Sequence, residues 1–286
     1  MATRVLRSAG IGAFAARAAL AWIRRDPRAG ELHRTNFHGR TVTLAGGPAL
    51  AAGATLGAAL GAPSAAAAAA ALTAGAAAGA VGFYDDVVGN RPEQKAAKGF
   101  KGHLGALREG RVTSGLVKIG GVGVAGLAAA ALLAADRGGK TRGRGGAVRA
   151  TADVLLGAGV IAGTANLVNL LDLRPGRALT AGALIGAPLT LGRGGGVAAG
   201  TLGASAALLP ADLGEDIMLG DAGANALGAL LGVALVGKTG TTGRAVALAV
   251  LAGLTAASER VSFTKVIQDT SWLRRLDELG RQPPTP

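Results

Sequence analysis

No cysteine occurs in the 286 residues, which excludes disulfide frameworks, thiolate zinc sites and cysteine nucleophiles. Three histidines leave little room for a histidine metal site. Aromatic residues amount to 3%, too few to supply the stacking surfaces of a nucleic-acid binder, so no nucleic-acid partner is expected despite the sequence pI near 11.4. What the chain does contain is an uneven mixture. Half of it is apolar, the mean hydropathy is +0.40, and the formal net charge is +13. A water-soluble domain of this size seldom combines these, so apolar runs and charge must be segregated along the chain.

They are segregated. Runs dominated by Ala, Gly, Leu and Val alternate with short polar segments, the pattern of membrane spans and their loops. Apolar runs bounded by charge or turn residues predict nine spans, at 6–23, 46–62, 64–84, 114–135, 151–171, 178–191, 196–210, 222–237 and 244–257. The fold class expected is therefore all-α: a polytopic transmembrane helical bundle over residues 1–257, followed by a cytoplasmic amphipathic tail over 258–286. The first 25 residues carry arginines and no acid, which also suits a transit or signal peptide; a first, weakly apolar span ending at Arg24 and Arg25 is preferred. Gly53, Gly57 and Gly61 form a GxxxGxxxG face, and Gly75/Gly79, Gly159/Gly163 and Gly228/Gly232 repeat its four-residue step, which lets helix backbones approach closely. A composition bias toward Ala and Gly would account for these glycines equally well.

One set of alternate loops (24–45, 85–113, 172–177, 211–221 and the tail from Ser258) holds more Lys and Arg than the other, so the positive-inside rule places it in the cytoplasm of a plasma-membrane protein. All the acidic loops of interest belong to that set. In the tail, Val261, Val266, Ile267, Trp272, Leu273 and Leu276 recur at helical spacing, reading as a helix on the membrane surface or on the loops.

Three constellations carry chemistry. Asp85 and Asp86, in GFYDD, end an apolar run; at a helix C-terminus they oppose the helix dipole and repel each other, so a cation or nearby lysines should offset them. Asn166, Asn169 and Asp172 step along one helix face, where either an inter-helix hydrogen bond or a binding role would justify asparagine in a span. Asp221, in LGDAGAN, precedes a fresh apolar helix, as an N-cap or a metal ligand would. Magnesium takes one or two carboxylates plus phosphates and waters, a demand these aspartates meet. Basic residues between 91 and 118, among them Lys98, Lys101 and Lys118, with His103, are placed to hold phosphates or anionic lipid heads.

These motifs resemble those of the MraY-like and WecA-like polyprenyl-phosphate sugar-1-phosphate transferases. VTLAGG at 42–47, GFYDD at 82–86, NLVNLLD at 166–172 and LGDAGANALG at 219–228 are similar to four of that family's cytoplasmic motifs, in the family's order. The resemblance implies a Mg²⁺-dependent enzyme of cell-envelope glycan assembly. It would move a sugar-1-phosphate from a nucleotide-sugar, a UDP-N-acetylhexosamine being the expected donor, to polyprenyl phosphate and release UMP. Asp85, Asp86 and Asp221 would then be catalytic, with Asp221 and Asp86 on the metal. Asn166, Asn169, Asp172, Lys98, Lys101, His103 and Lys118 would bind substrate, and a homodimer is compatible with the reading. The chain also departs from the pattern, with Pro175 where a second acid belongs, Ala224 for a serine, and no histidine cluster in the last loop. A non-catalytic homologue that binds polyprenyl phosphate or acts as a membrane scaffold is the alternative.

Overall fold

A computed structural model of the chain describes residues 2–89, 91, 99–137, 144–192 and 194–282. Each of the nine apolar segments is helical. They fall in α1 (Ala2–Arg25), α2 (Gly46–Gly61), α3 (Ala65–Val88), α5 (Ser114–Arg137), α6 (Arg144–Leu171), α7 (Arg177–Gly186) with its 3₁₀ extension, α8 (Gly195–Leu213), α9 (Gly220–Lys238) and α10 (Thr241–Ser258). The short α4 (Gly99–Arg108) lies between α3 and α5. A hairpin of β1 (His33–Thr35) and β2 (Thr41–Thr43), paired antiparallel with His33 opposite Thr43, joins α1 to α2.

Six of these helices, α3, α5, α6, α8, α9 and α10, are long and apolar enough to cross a membrane. The chain is thus a multi-pass, nearly all-α membrane protein. The other three fall short for physical reasons: α1 carries five arginines and no acid, α2 is 16 residues long, and α7 runs for only 10. Outward faces bear Leu72, Val124, Leu155, Val246 and Val250, apolar side chains that lipid covers and water would not. Ala-rich sequence favours helix throughout, and Ser64 starts α3 by accepting a hydrogen bond from the Ala67 N–H (3.1 Å).

Two packing devices organise the bundle. Leu227, Leu230, Leu231 and Val236 make α9 its buried axis, against which α2, α3 and α6 pack. Around it, small residues bring α1, α2 and α8 into backbone contact: Gly57 lies against Gly12 and Gly200, Gly61 against Gly196 and Ser8, and Gly53 against Ala16. The GxxxGxxxG spacing is therefore a packing face. The sequence of these contacts also shows that α2 runs antiparallel to both α1 and α8.

The tail differs from the single helix expected. Thr270 is extended (φ −102°, ψ 109°) and divides it into α11 (Phe263–Asp269) and α12 (Ser271–Asp277), with Val261, Val266 and Trp272 exposed.

A Cβ on Gly200 would lie 2.1 Å from the Gly57 carbonyl carbon, so Gly200→Ala must push two helices apart, at a cost of about 1–3 kcal/mol. Gly253, in α10, has open space where its Cβ would be, and Gly253→Ala should be neutral or stabilising by about 0.5–1 kcal/mol. Thermal melts of the two variants in detergent check the contrast; equal melting temperatures would refute close packing at Gly200.

Candidate functional site

The loops singled out in the sequence meet at one end of the bundle. Asp85 and Asp86 stand in the last turn of α3, Lys118 in the first turns of α5, Asp172 just beyond α6, and Asp221 in the first turn of α9. Lys118 Nζ bridges two of the carboxylates, at 2.6 Å from Asp85 Oδ2 and 2.7 Å from Asp221 Oδ2. All three side chains are mostly buried, which strengthens the attraction between them.

Asp86 turns the other way. Its Oδ1 accepts the Asp221 N–H (2.8 Å) and its Oδ2 the Ala222 N–H (2.9 Å), so it caps the N-terminus of α9. Gly220 precedes these amides in the left-handed region (φ 58°), and a Cβ there would sit 2.7 Å from Asp86 Oδ1; both facts require glycine. The Gly220 N–H is taken by Asp172. The positive counterparts sought for the acidic pair are thus Lys118 for Asp85 and the dipole of another helix for Asp86. Burial pushes the Asp172 carboxyl well above the usual carboxylate range, and the charges of Asp212, Asp221 and Asp86 push in the same direction.

Asp172 also lines a cleft of about 270 Å³ between the β1–β2 hairpin and the segments 172–175 and 212–218. Phe37 forms one wall, with the Arg174 guanidinium 3.9 Å above its ring. Glu215 holds the hairpin in place. It is buried, has a positive φ of 59°, and receives Asn36 Nδ2, His38 Nδ1 (2.8 Å) and Arg40 (3.5 Å). Burial alone would raise the Glu215 carboxyl, but these partners hold it below its usual range. Opposite, the buried Asp212 accepts the Gly176 N–H (2.7 Å) and fixes the start of α7. VTLAGG joins the same end: the Met218 N–H donates to the Thr43 carbonyl (2.9 Å), and Gly46 and Gly47 lie against the carbonyls of Met218 and Leu219.

Other expected residues are placed differently. Asn166 donates to Thr255 Oγ1 (3.0 Å), an inter-helix bond between α6 and α10. Asn169 gives its backbone carbonyl to the Asp172 N–H (3.1 Å). Lys98 lies outside the described residues, as do the side chains of Lys101 and His103 in α4. The sequence reading missed Asn36, Phe37, His38, Arg174, Asp212 and Glu215. The acids of ADLGED, in a loop already grouped with the acidic ones, were the available signal.

Among the described residues no three His, Asp or Glu side chains converge as a self-sufficient metal cage. Magnesium does not need one when phosphates complete its shell. Asp85 and Asp221 already hold one cationic group between them, the Lys118 ammonium, and their oxygens suit a hard cation. The donor set fits the ion at that pair, whereas both oxygens of Asp86 are engaged by amides.

Because the Glu215 carboxyl is held low, its contribution to hairpin docking is complete above the usual Glu range and is lost as pH falls through its depressed value. Amide exchange at residues 36–42 should stay slow from neutral pH to that range and quicken below it. Glu215→Gln should loosen the hairpin at neutral pH by about 1.5–3 kcal/mol; equal protection in both proteins would refute the anchor. Compared with models of known protein families and with curated proteins, the sequence matches none.

Proposed function

We propose that the chain is a membrane transferase moving a sugar-1-phosphate from a UDP-sugar, a UDP-N-acetylhexosamine, onto polyprenyl phosphate with release of UMP, in cell-envelope glycan assembly. The observation that carries this reading is the meeting of Asp85, Asp221 and Lys118 beside a cleft that shares Asp172. All nine apolar helices would cross a plasma membrane, with α1, α2 and α7 held by their partners, and with the acidic end and the tail in the cytoplasm. The GxxxG contacts of α1 and α2 with α8 support that depth.

In this reading Asp85 and Asp221 hold Mg²⁺, which supplies charge neutralisation to the diphosphate when bound. Lys118 moves from the two carboxylates to a phosphate oxygen. A lipid-phosphate oxygen forms a bond to the sugar-bearing β-phosphorus while the bond from that phosphorus to the bridging oxygen breaks, and UMP leaves carrying the bridging oxygen on its α-phosphorus. Asp86 and Gly220 keep the α9 N-terminus, and with it Asp221, fixed through the step. Lys98, Lys101 and His103 would face the lipid phosphate, and Asn169 and Asp172 would border the nucleotide.

A second reading has its own observation in favour. Lys118 and the α9 amides already neutralise the acids from within, and Pro175 stands where the related enzymes carry an acid. Such a protein would bind polyprenyl phosphate without turnover. Purified protein with polyprenyl phosphate and UDP-N-acetylhexosamines should release UMP in a Mg²⁺-dependent manner, and Asp221→Asn should lower the rate by about 100-fold, or about 2.7 kcal/mol. UMP release that Asp221→Asn leaves unchanged would sink the assignment. Lipid-phosphate binding without release from any donor would favour the second reading.

A further inference from the structure

The tail after α10 is pinned to the bundle by a buried charge cluster. Arg177, the first residue of α7, is almost fully buried and makes a bidentate pair with Asp277, Nε to Oδ1 at 2.7 Å and a terminal nitrogen to Oδ2 at 2.9 Å. Its other terminal nitrogen donates to Thr264 Oγ1 in α11 (2.9 Å). Arg281 makes a second bidentate pair with the same Asp277 (2.9 and 2.7 Å), and its Nε donates to the Pro175 carbonyl (2.8 Å). Burial alone would raise the Asp277 carboxyl, but the hydrogen bonds and charges of the two arginines hold it below its usual range.

The segment gripped in this way, 172–177, includes residues 172–175, which form one wall of the acidic cleft. Arg174 projects from it onto Phe37, and Asp172 leads from it to Gly220. Two elements therefore meet on a six-residue loop: Asp212 holds Gly176 from the bundle side, and Arg281 and Asp277 hold Pro175 and Arg177 from the tail side. An isolated loop of this length would sample many conformations, and fixing it requires bonds at both sides.

We infer that Asp277 is a positioning residue for the cleft, and that the tail serves as a latch fixing the 172–177 wall through Arg177 and Pro175. The role in catalysis rests on the transferase reading; the latch itself does not. Losing the shared carboxylate leaves two arginines facing each other and frees the wall, while the helices behind it keep their own packing.

Hydrogen exchange on the full chain in lipid nanodiscs tests the latch. In Asp277→Ala the Leu173, Gly176 and Arg177 amides should exchange roughly tenfold faster or more, with α6 and α9 unchanged, and Asp277→Glu should restore most of the protection. Unaltered exchange at those three amides would overturn the inference. So would a loss spread evenly over α6 and α9, which would make the cluster a general staple. If Asp277→Ala does not yield folded protein, Arg281→Ala leaves the Arg177–Asp277 pair intact and releases Pro175. Faster exchange at Gly176 then supports the latch, and none refutes it. Where UMP release is measurable, Asp277→Ala should raise KM for the nucleotide-sugar by roughly tenfold with little change in kcat, unlike Asp221→Asn. A chain without turnover would leave the exchange result standing.

Discussion

The first amides of α9 have no partners within their own helix, and in this chain carboxylates from two other helices accept them. Asp86 at the end of α3 takes two and Asp172 beyond α6 takes one. Each acid would be badly placed at the C-terminal end of its own helix, where the dipole is negative, and is stabilised by the positive end of an antiparallel neighbour. The arrangement fixes the relative height of three helices. It also sets Asp221 beside Asp85 with one ammonium between them. Removing the cap would leave the Asp221 and Ala222 amides without the carboxylate that accepts them.

Such a fixed point matters because the bundle has little else to define register. Its helices are built of alanine and glycine, which offer few knobs for interlocking. In lipid there is no hydrophobic drive between helices, so contact must come from close backbone approach. Gly12, Gly57 and Gly200 supply this for α1, α2 and α8, tying the arginine-bearing α1 and the short α2 to α8, which is itself long and apolar enough to cross a membrane. Smooth surfaces of this kind slide easily, whereas hydrogen bonds from a carboxylate to two successive amides do not. Glycine packing gives proximity, and the α9 cap and the Glu215-anchored hairpin give position.

The nearly all-α fold was largely legible because its signal is local: run length and bounding charge located nine helical segments, six of them long and apolar enough to cross a membrane, and the four-residue glycine step located a packing face. The site was legible as a set of places rather than as a set of bonds. Asp85, Asp86, Asp172 and Asp221 do meet, yet their partners depended on which helix ends lie opposite, information that no single segment contains. Lys118 was read as one of several basic residues, since nothing in its neighbourhood marks it as the one that turns inward. The hairpin was invisible for a related reason. Asn36, His38 and Arg40 acquire meaning only through Glu215, more than 170 residues away. Asn166 read as fit for a pocket or an inter-helix bond, and its hydrogen bond to Thr255 is visible only in three dimensions.

Lys118 is where structure and chemistry now converge. A lysine between two carboxylates neutralises them when no other cation is near, which keeps a buried acidic pair from repelling itself apart. The same ammonium is on a flexible stem and can leave, since its charge is equally well satisfied by a phosphate oxygen. Under the proposed function such a site would exchange one cation for another without exposing bare acid to a low-dielectric interior. Asp221 would be the rigid partner in that exchange, because the Asp86 cap holds its backbone and its side chain is paired, among the described residues, only through the Lys118 ammonium and the neighbouring Asp85. Capped backbone, counter-charge and cleft wall are separate features here, carried by α9, α5 and the segment before α7.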